Sequence, residues 1–305
     1  WEELNQKIRT TAQQLGLREI YSNSPISEKE ASHFGELDDM IAALNPLNKD
    51  MITLRPSLLH GFLKSASYNF NRKRSGVRFF ELGHVFEADE EGSYYEGIKE
   101  EVHVLFGLAG LKNQDTWSEE ATSYTIFDLK ALVHAFFTKL NLIEHLSSKA
   151  QDENTLGYFW GDKKIGSLFV PAEDLKKAYD FEQDAYVAEL SVTAISEALA
   201  VIPQNTFKSV PKFPAFEFDF AVIVSQSVTA GELMEVIEDK AGDQLESIDI
   251  FDVFEGDSIG EGNKSLAFRL NFLDPNKTLN IKEVEPIIQR IVKSLEKDFS
   301  AKLRG

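Results

Sequence analysis

The order of predicted elements in residues 213–304 is the feature that most constrains how this chain can fold. Apolar and polar side chains alternate over 216–224, a period of two that is typical of a strand with one buried face. Further strands are predicted at 247–254, 264–272 and 301–304. Capping boxes, which satisfy the first amides of a helix, are predicted for Thr229 with Glu232 and for Asn280 with Glu283. This order predicts a ferredoxin-like βαββαβ domain.

The first two thirds of the chain mix predicted helices with predicted strands. Apolar spacing on one helical face predicts helices over 1–15 and 57–72. Ser57 is a good N-cap for the second of these helices. Buried-looking strands are predicted at 77–86 and 102–111. The whole chain is therefore predicted to be α+β.

The length of 305 residues predicts about two domains. Pro203 and Pro211 stand among polar residues and indicate a linker between them. We predict one domain over 1–200, a linker over 201–212 and a second domain over 213–305.

The chain is strongly acidic, with 50 Asp and Glu residues against 32 Lys and Arg and a formal net charge of −18. A protein that binds nucleic acid mainly through phosphates carries a basic surface. RNA binding by this chain would therefore depend on a few unstacked bases, or on affinity supplied by other parts of a complex. Alternatively, most of these acidic residues serve only to keep the protein in solution.

The composition argues against several classes of function. The sequence contains no apolar run of 18 or more residues, so we expect no membrane partner. The absence of cysteine excludes disulfides and thiolate metal sites and fits a cytoplasmic protein. The 6 histidines lack zinc-site spacing, and no P-loop or dinucleotide motif occurs. We expect no catalytic residue, metal or cofactor in this chain itself.

Five ordered motifs in the last third resemble one known domain. They are Lys212-Phe213-Pro214, Phe251-Asp252-Val253-Phe254-Glu255-Gly256, the run from Gly262 to Leu270, Asp274-Pro275-Asn276-Lys277-Thr278-Leu279, and Leu303-Arg304-Gly305. Together they resemble the ferredoxin-fold anticodon-binding domain that ends the beta subunit of bacterial phenylalanyl-tRNA synthetase.

The first domain resembles another part of the same subunit. Its motifs are Asn45-Pro46-Leu47-Asn48, the run from Leu54 to Leu63, and the strand 77–86. They resemble the catalytic-like domain, a class II synthetase fold built on an antiparallel sheet that has lost its catalytic residues in that family. The resemblance covers nearly the whole chain, and the family's upstream modules are not in it. We therefore expect the C-terminal half of such a subunit.

The resemblance implies a site for RNA. Phe254 offers a ring on which an unpaired base can stack, a contact worth about 1–3 kcal/mol. The family usually has tyrosine there, so Phe254 keeps the ring and lacks the hydroxyl. The resemblance places Asp252 and Ser265 beside it as polar contacts to the first anticodon base, a guanine, and Ala221 in the pocket floor. The expected RNA backbone contacts are Lys208, Lys212, Lys264, Arg269, Lys302 and Arg304.

The resemblance also implies partners. In the family the catalytic-like domain pairs with the alpha subunit in a heterotetramer, and we expect Leu58 and Phe62 at that interface. The full complex would join phenylalanine to tRNA-Phe with ATP and magnesium, and the chemistry would lie on the alpha subunit.

The residues leave other interpretations open. Phe254 also fits a core position, the helix over 57–72 also fits an ordinary core helix, and each lysine or arginine also fits a solvated charge. The chain also fits an assembly scaffold with only incidental RNA contact.

Two carboxylate-containing patterns bear on whether the chain carries out chemistry. Arg78-Phe79-Phe80-Glu81 resembles the Arg-x-Glu pattern with which class II synthetases hold an ATP phosphate. The glycine-rich motif that should accompany it is not in the chain, and a partly exposed arginine with a strand-edge glutamate is the simpler interpretation. Strict alternation predicts that Asp249 and Asp252 lie on opposite faces of their strand, which excludes an acid/base pair.

Overall fold

The computed structural model describes residues 1–37, 40–89, 97–202 and 210–304. The chain divides into two compact units, Trp1–Asn205 and Thr206–Gly305, called unit 1 and unit 2 below. The stretch 203–209, which holds Lys208 and most of the predicted linker, lies outside the described residues.

Unit 1 is organised around one eight-stranded sheet. The strands of the unit are β1 (Arg18–Glu19), β2 (Pro25–Ile26), β3 (Thr53–Leu54), β4 (Gly76–Asp89), β5 (Gly97–Asn113), β6 (Thr122–Ser123), β7 (Ser147–Asp152), β8 (Thr155–Trp160), β9 (Lys163–Phe169) and β10 (Ala185–Ser191). The large sheet has the order β1-β4-β5-β10-β9-β8-β7, with β6 beside β5. β2 and β3 form a separate small sheet. Of the pairings in the large sheet, β1 with β4 is parallel and the others are antiparallel.

Helices cover both faces of this sheet. They are α1 (Glu2–Gln14), α2 (Glu28–Ala31), α3 (Leu59–Phe70), α4 (Ile126–Lys139), α5 (Glu173–Ala178) and α6 (Val192–Val201). One core packs α1, α4 and α6 against the sheet, and a second core packs α3 against the other face. Phe79 and Phe80 of β4 enter different cores, because neighbouring residues on a strand point to opposite faces.

The start of α3 differs from the prediction, which made Ser57 its N-cap. Leu58 is the N-cap, and the Ser57 hydroxyl donates to the Glu189 carboxylate at 2.5 Å while it accepts the Leu59 amide at 3.0 Å. Glu189 also accepts the Leu58 amide at 3.0 Å. A carboxylate from the distant strand β10 therefore accepts the N-cap amide and holds the Ser57 hydroxyl that accepts the first helical amide, which no local pattern reveals.

The predicted interface residues Leu58 and Phe62 lie in the core of unit 1. Both side chains are fully buried between α3 and the sheet. A side chain without solvent exposure cannot contact another subunit, so the prediction of an interface at these two residues is wrong. The alternative interpretation, an ordinary core helix, describes α3.

Unit 2 is a four-stranded antiparallel sheet with two helices packed on one face. Its elements are β11 (Phe216–Ser225), α7 (Ala230–Ala241), β12 (Leu245–Phe254), β13 (Asn263–Phe272), α8 (Ile281–Phe299) and β14 (Lys302–Arg304). Both predicted capping boxes form at the starts of α7 and α8. The strand order β12-β13-β11-β14 is that of a ferredoxin-like fold, so the predicted fold class is confirmed.

A β-bulge in β12 changes which residues share a face. Ile250 pairs with Phe268 and Asp252 pairs with Ala267, which leaves Phe251 as the extra residue. Asp249 and Asp252 therefore both lie on the face that the helices leave uncovered. The prediction that they lie on opposite faces is wrong, because it assumed an unbroken period of two.

Candidate nucleic-acid interface

The sheet face opposite α7 and α8, called the open face below, carries all four predicted base-contacting residues. Ala221 and Asp252 both pair with Ala267, and Phe254 pairs with Ser265. Directly paired residues point to the same side of a sheet. The register therefore brings these four residues together across the three adjacent strands β11, β13 and β12.

Phe254 and Arg304 meet above the middle of the open face. Arg304 of β14 pairs with Ala221, and its guanidinium carbon lies 4.7 Å from the centroid of the Phe254 ring. This distance is that of a cation–π contact. Because β12 and β14 are the two edges of the sheet, the contact crosses both inner strands. Phe254 remains 36% exposed, so it is not a core side chain.

Ser265 lies on β13, one of the two inner strands that the contact between Phe254 and Arg304 crosses, and it is only 2% exposed. Ala267, two residues along the same strand, is also buried, and Ala221 is half-buried. These small side chains form a floor that the longer Phe254 and Arg304 cover from the sheet edges. In this arrangement the Ser265 hydroxyl is not accessible for the expected direct contact with a base.

Arg269, predicted as an RNA backbone contact, is engaged within the protein. Its Nε and Nη2 donate to the Asp219 carboxylate at 2.9 and 2.7 Å, and Glu217 lies 3.3 Å from Nε. The hydrogen bonds from Arg269 lower the pKa of Asp219. The guanidinium also lies 5.2 Å from the centroid of the Phe251 ring. A phosphate at Arg269 would have to displace two carboxylates.

The other predicted contacts to the RNA backbone are few, and the open face around them is mainly acidic. Lys212 and Lys302 are exposed, and the Lys264 ammonium donates to the Gln226 carbonyl at 3.0 Å. The pairing register places four carboxylates on the open face: Glu217, Asp219, Asp249 and Asp252. Such a face suits the donor edge of a base better than it suits a phosphate.

In unit 1, Arg78 and Glu81 make internal contacts on opposite faces of β4. The Arg78 Nη2 donates to the Leu15 carbonyl at 2.7 Å. Glu81 is buried, with Arg55 Nη1 and the Ser22 hydroxyl each 2.7 Å from its carboxylate. The prediction that Glu81 lies at the edge of the sheet is wrong, because β4 is an inner strand between β1 and β5.

Within the described residues, no group of three or more histidine, aspartate or glutamate side chains is arranged to hold a metal ion. None of the helices in the same part of the chain combines the length and apolarity needed to cross a membrane.

Comparison with known families covers almost the whole chain. Residues 1–192 match the phenylalanyl tRNA synthetase beta chain CLM domain. The chain belongs to the phenylalanyl-tRNA synthetase beta chain family. Residues 211–304 match the ferredoxin-fold anticodon binding domain, in the same order as the two units. The family that the motifs resembled is therefore confirmed.

Individual relatives show how much of the beta chain is present. The phenylalanine–tRNA ligase beta subunits of Streptococcus thermophilus and Bacillus licheniformis are each 30% identical to this chain, over 310 and 314 residues. These matches cover 99% and 100% of this chain but 38% of either relative. The beta subunit of Bacteroides thetaiotaomicron is 29% identical and is covered to 39%. The chain thus spans well under half the length of these relatives.

A solved structure is similar to this beta chain in fold alone. PylSc of Desulfitobacterium hafniense, a pyrrolysyl-tRNA synthetase, aligns with a TM-score of 0.50 at 14% identity. The alignment covers 65% of this chain and 64% of that protein. This likeness supports the synthetase-like sheet of the predicted fold class.

Two features of the open face were not predicted from the sequence. One is the contact between Arg304 and Phe254, because the predicted fold places β14 beside β11 but does not give the register that sets Arg304 opposite Ala221. The other is the exposure of Phe251, which follows from the bulge. A signal for the bulge is present, since apolar residues change parity between Ile250 and Phe251.

Proposed function

We propose that unit 2 of this beta chain binds an unstacked guanine of the tRNA-Phe anticodon on its open face. The observation that carries the proposal is the exposed ring of Phe254, set beside the exposed carboxylate of Asp252 and above a floor of small side chains. Stacking on the ring would supply about 1–3 kcal/mol. The carboxylate would accept from N1 and N2 of guanine, and adenine lacks that pair of donors.

Arg304 would have to leave the Phe254 ring before a base could stack there. Its guanidinium carbon lies 4.7 Å from the ring centroid. A base between the two groups would need about 7 Å, twice an ordinary contact distance. The movement of Arg304 would also uncover the Ser265 hydroxyl, which could then donate to the bound base. Ser265 could therefore contact the base, as predicted, only after Arg304 has moved away from the Phe254 ring.

Binding of tRNA-Phe transcripts to the chain tests the proposal. Phe254→Ala is expected to weaken binding by about fivefold or more, because stacking is lost. Asp252→Asn is expected to reduce the preference for guanine at the first anticodon position. Phe127→Ala and Asp298→Asn change other exposed residues of the same types elsewhere and should have no effect. Equal binding by all four variants and the parent chain would contradict base recognition by the open face.

We further propose that unit 1 supports a catalytic alpha subunit, through a surface other than the predicted one. Tyr21, Leu44 and Leu47 are 89%, 97% and 90% exposed on the segments that flank β2 and β3. Exposed apolar side chains of this kind suit a protein partner. The phenylalanine, ATP and magnesium of the full ligase would then be handled on the alpha subunit.

Co-purification with the alpha subunit tests this second proposal. Leu44→Ser with Leu47→Ser is expected to reduce recovery of the complex, whereas Trp117→Ser, at an equally exposed side chain on the β5–β6 connection, should not. Full recovery with the double variant would exclude this surface. Loss of the complex, together with unchanged tRNA binding by the Phe254 variant, would favour the assembly scaffold. ATP–pyrophosphate exchange by this chain alone is expected to be absent.

A further inference from the structure

A basic pocket in unit 1 has no part in the function proposed above. It lies where the ends of α1, α3 and β5 meet the start of β4, and its volume is about 380 Å³. Of the described residues that line it, none is a carboxylate and five are cationic: Arg18, Lys73, Arg74, Arg78 and Lys112. This concentration of positive charge stands out in a chain with a formal net charge of −18.

Most of these cations lack a partner that would neutralise them. Lys112 lies 2.6 Å from the Asp128 carboxylate. Arg18, Lys73 and Arg74 have no carboxylate within ion-pair distance anywhere in the part of the chain that the structure describes. The pocket therefore holds positive charge that nothing within the described protein balances.

The arrangement of the guanidinium groups indicates that the pocket is more than a helix cap. Arg78 donates Nη2 to the Leu15 carbonyl at the end of α1, but its Nε is buried without a hydrogen-bond partner among the described residues. At the end of α3, Arg72 donates to the Tyr68 carbonyl and lies over the Tyr68 ring. Lys73 and Arg74 line the pocket instead. Lys73 adopts φ +65°, a left-handed backbone conformation that turns the chain at this point.

We propose that this pocket binds a phosphate group of a polyanion, either a free polyphosphate or the backbone of an RNA. Arginine forks match phosphate oxygens in pairs, and several converging cations need more than one negative charge to balance them. Arg78 adds a fourth guanidinium or ammonium group to Arg18, Lys73 and Arg74 in the pocket lining.

Calorimetric titration of the whole chain with inorganic tripolyphosphate at low salt tests the proposal. The parent chain is expected to bind, and Arg18→Gln with Arg74→Gln is expected to weaken binding by about tenfold or more. Both side chains are exposed and have no described ion-pair partner, so the double variant should fold. Arg72→Gln is the matched control: it removes the same charge from the same turn but does not line the pocket. Its effect should stay within about twofold.

A competition arm distinguishes the two sources of phosphate. Displacement of tripolyphosphate by tRNA, together with weaker tRNA binding by the double variant, would assign the pocket to an RNA backbone. Tripolyphosphate binding that tRNA does not displace would assign it to a free polyphosphate. Absence of binding at millimolar tripolyphosphate, or equal weakening by Arg72→Gln and by the double variant, would overturn the proposal. Because the pocket belongs to unit 1, either result leaves base recognition by unit 2 unaffected.

Discussion

At the scale of single residues, an ion pair between Arg55 and Glu81 joins two of the sequence motifs, the run from Leu54 to Leu63 and the strand 77–86. The pair is buried, and Arg55 Nε also donates to the His84 carbonyl at 3.0 Å. Removing one partner leaves a buried charge without compensation, so Glu81→Gln is expected to lower the free energy of unfolding by about 3–5 kcal/mol. Glu19→Gln, which breaks the more exposed pair with Arg9, should cost less than about 1 kcal/mol. Chemical denaturation of both variants measures the difference, and equal losses would contradict this account.

His103 provides a second prediction at this scale. Burial alone would lower its pKa, but hydrogen bonds to Glu101 and Glu189 outweigh burial and raise the pKa to about 9. A raised pKa stabilises the fold fully below about pH 6.5, the ordinary value, and this stabilisation is lost as the pH rises through about 9. His103→Gln is therefore expected to cost about 1–3 kcal/mol at about pH 6 and much less at about pH 10.

Denaturation at both pH values tests this expectation, with His134→Gln as the control. His134 is exposed on α4, so its replacement should change stability little at either pH. A loss for His103→Gln that is the same at both pH values would show that the imidazolium is not stabilised by the two carboxylates.

At the scale of elements, α3 packs on β5 through a close approach at Gly107. A Cβ at this glycine would lie 2.2 Å from the Phe62 ring, which is itself fully buried. Gly107→Ala is therefore expected to destabilise unit 1 by about 1–3 kcal/mol, through overpacking of the core. Gly231→Ala on α7 meets nothing within 4 Å and should stabilise by about 0.4–1 kcal/mol. Thermal denaturation compares the two, and a neutral Gly107→Ala would contradict the packing.

The elements also show what the sequence could predict. The capping boxes of α7 and α8 are local patterns, so the starts of both helices were predictable from neighbouring side chains. The start of α3 was not, because Glu189 reaches it from β10. The candidate RNA site shows the same difference between local patterns and contacts from distant strands. Alternation along β12 predicts that Asp252 and Phe254 share a face, whereas the burial of Ser265 depends on side chains from neighbouring strands, which the local sequence does not show.

At the scale of the whole molecule, the balance of charge determines how RNA binding responds to salt. With a net charge of −18 and Arg269 already paired, few cations near the open face are free to contact phosphates. A single strand contributes a slope of about −0.7 per phosphate contact in log K against log salt. For an isolated anticodon stem-loop we expect a slope no steeper than about −2. A slope near −5 would indicate a phosphate-led contact instead.

Stacking on Phe254 is the central claim, and fluorescence tests it directly. A stem-loop with 2-aminopurine at the first anticodon position is titrated with the parent chain and with Phe254→Ala. The parent chain is expected to change the emission as the purine leaves the RNA stack for the ring, and Phe254→Ala at saturating concentration is expected to leave it unchanged. An identical change with both proteins would contradict it.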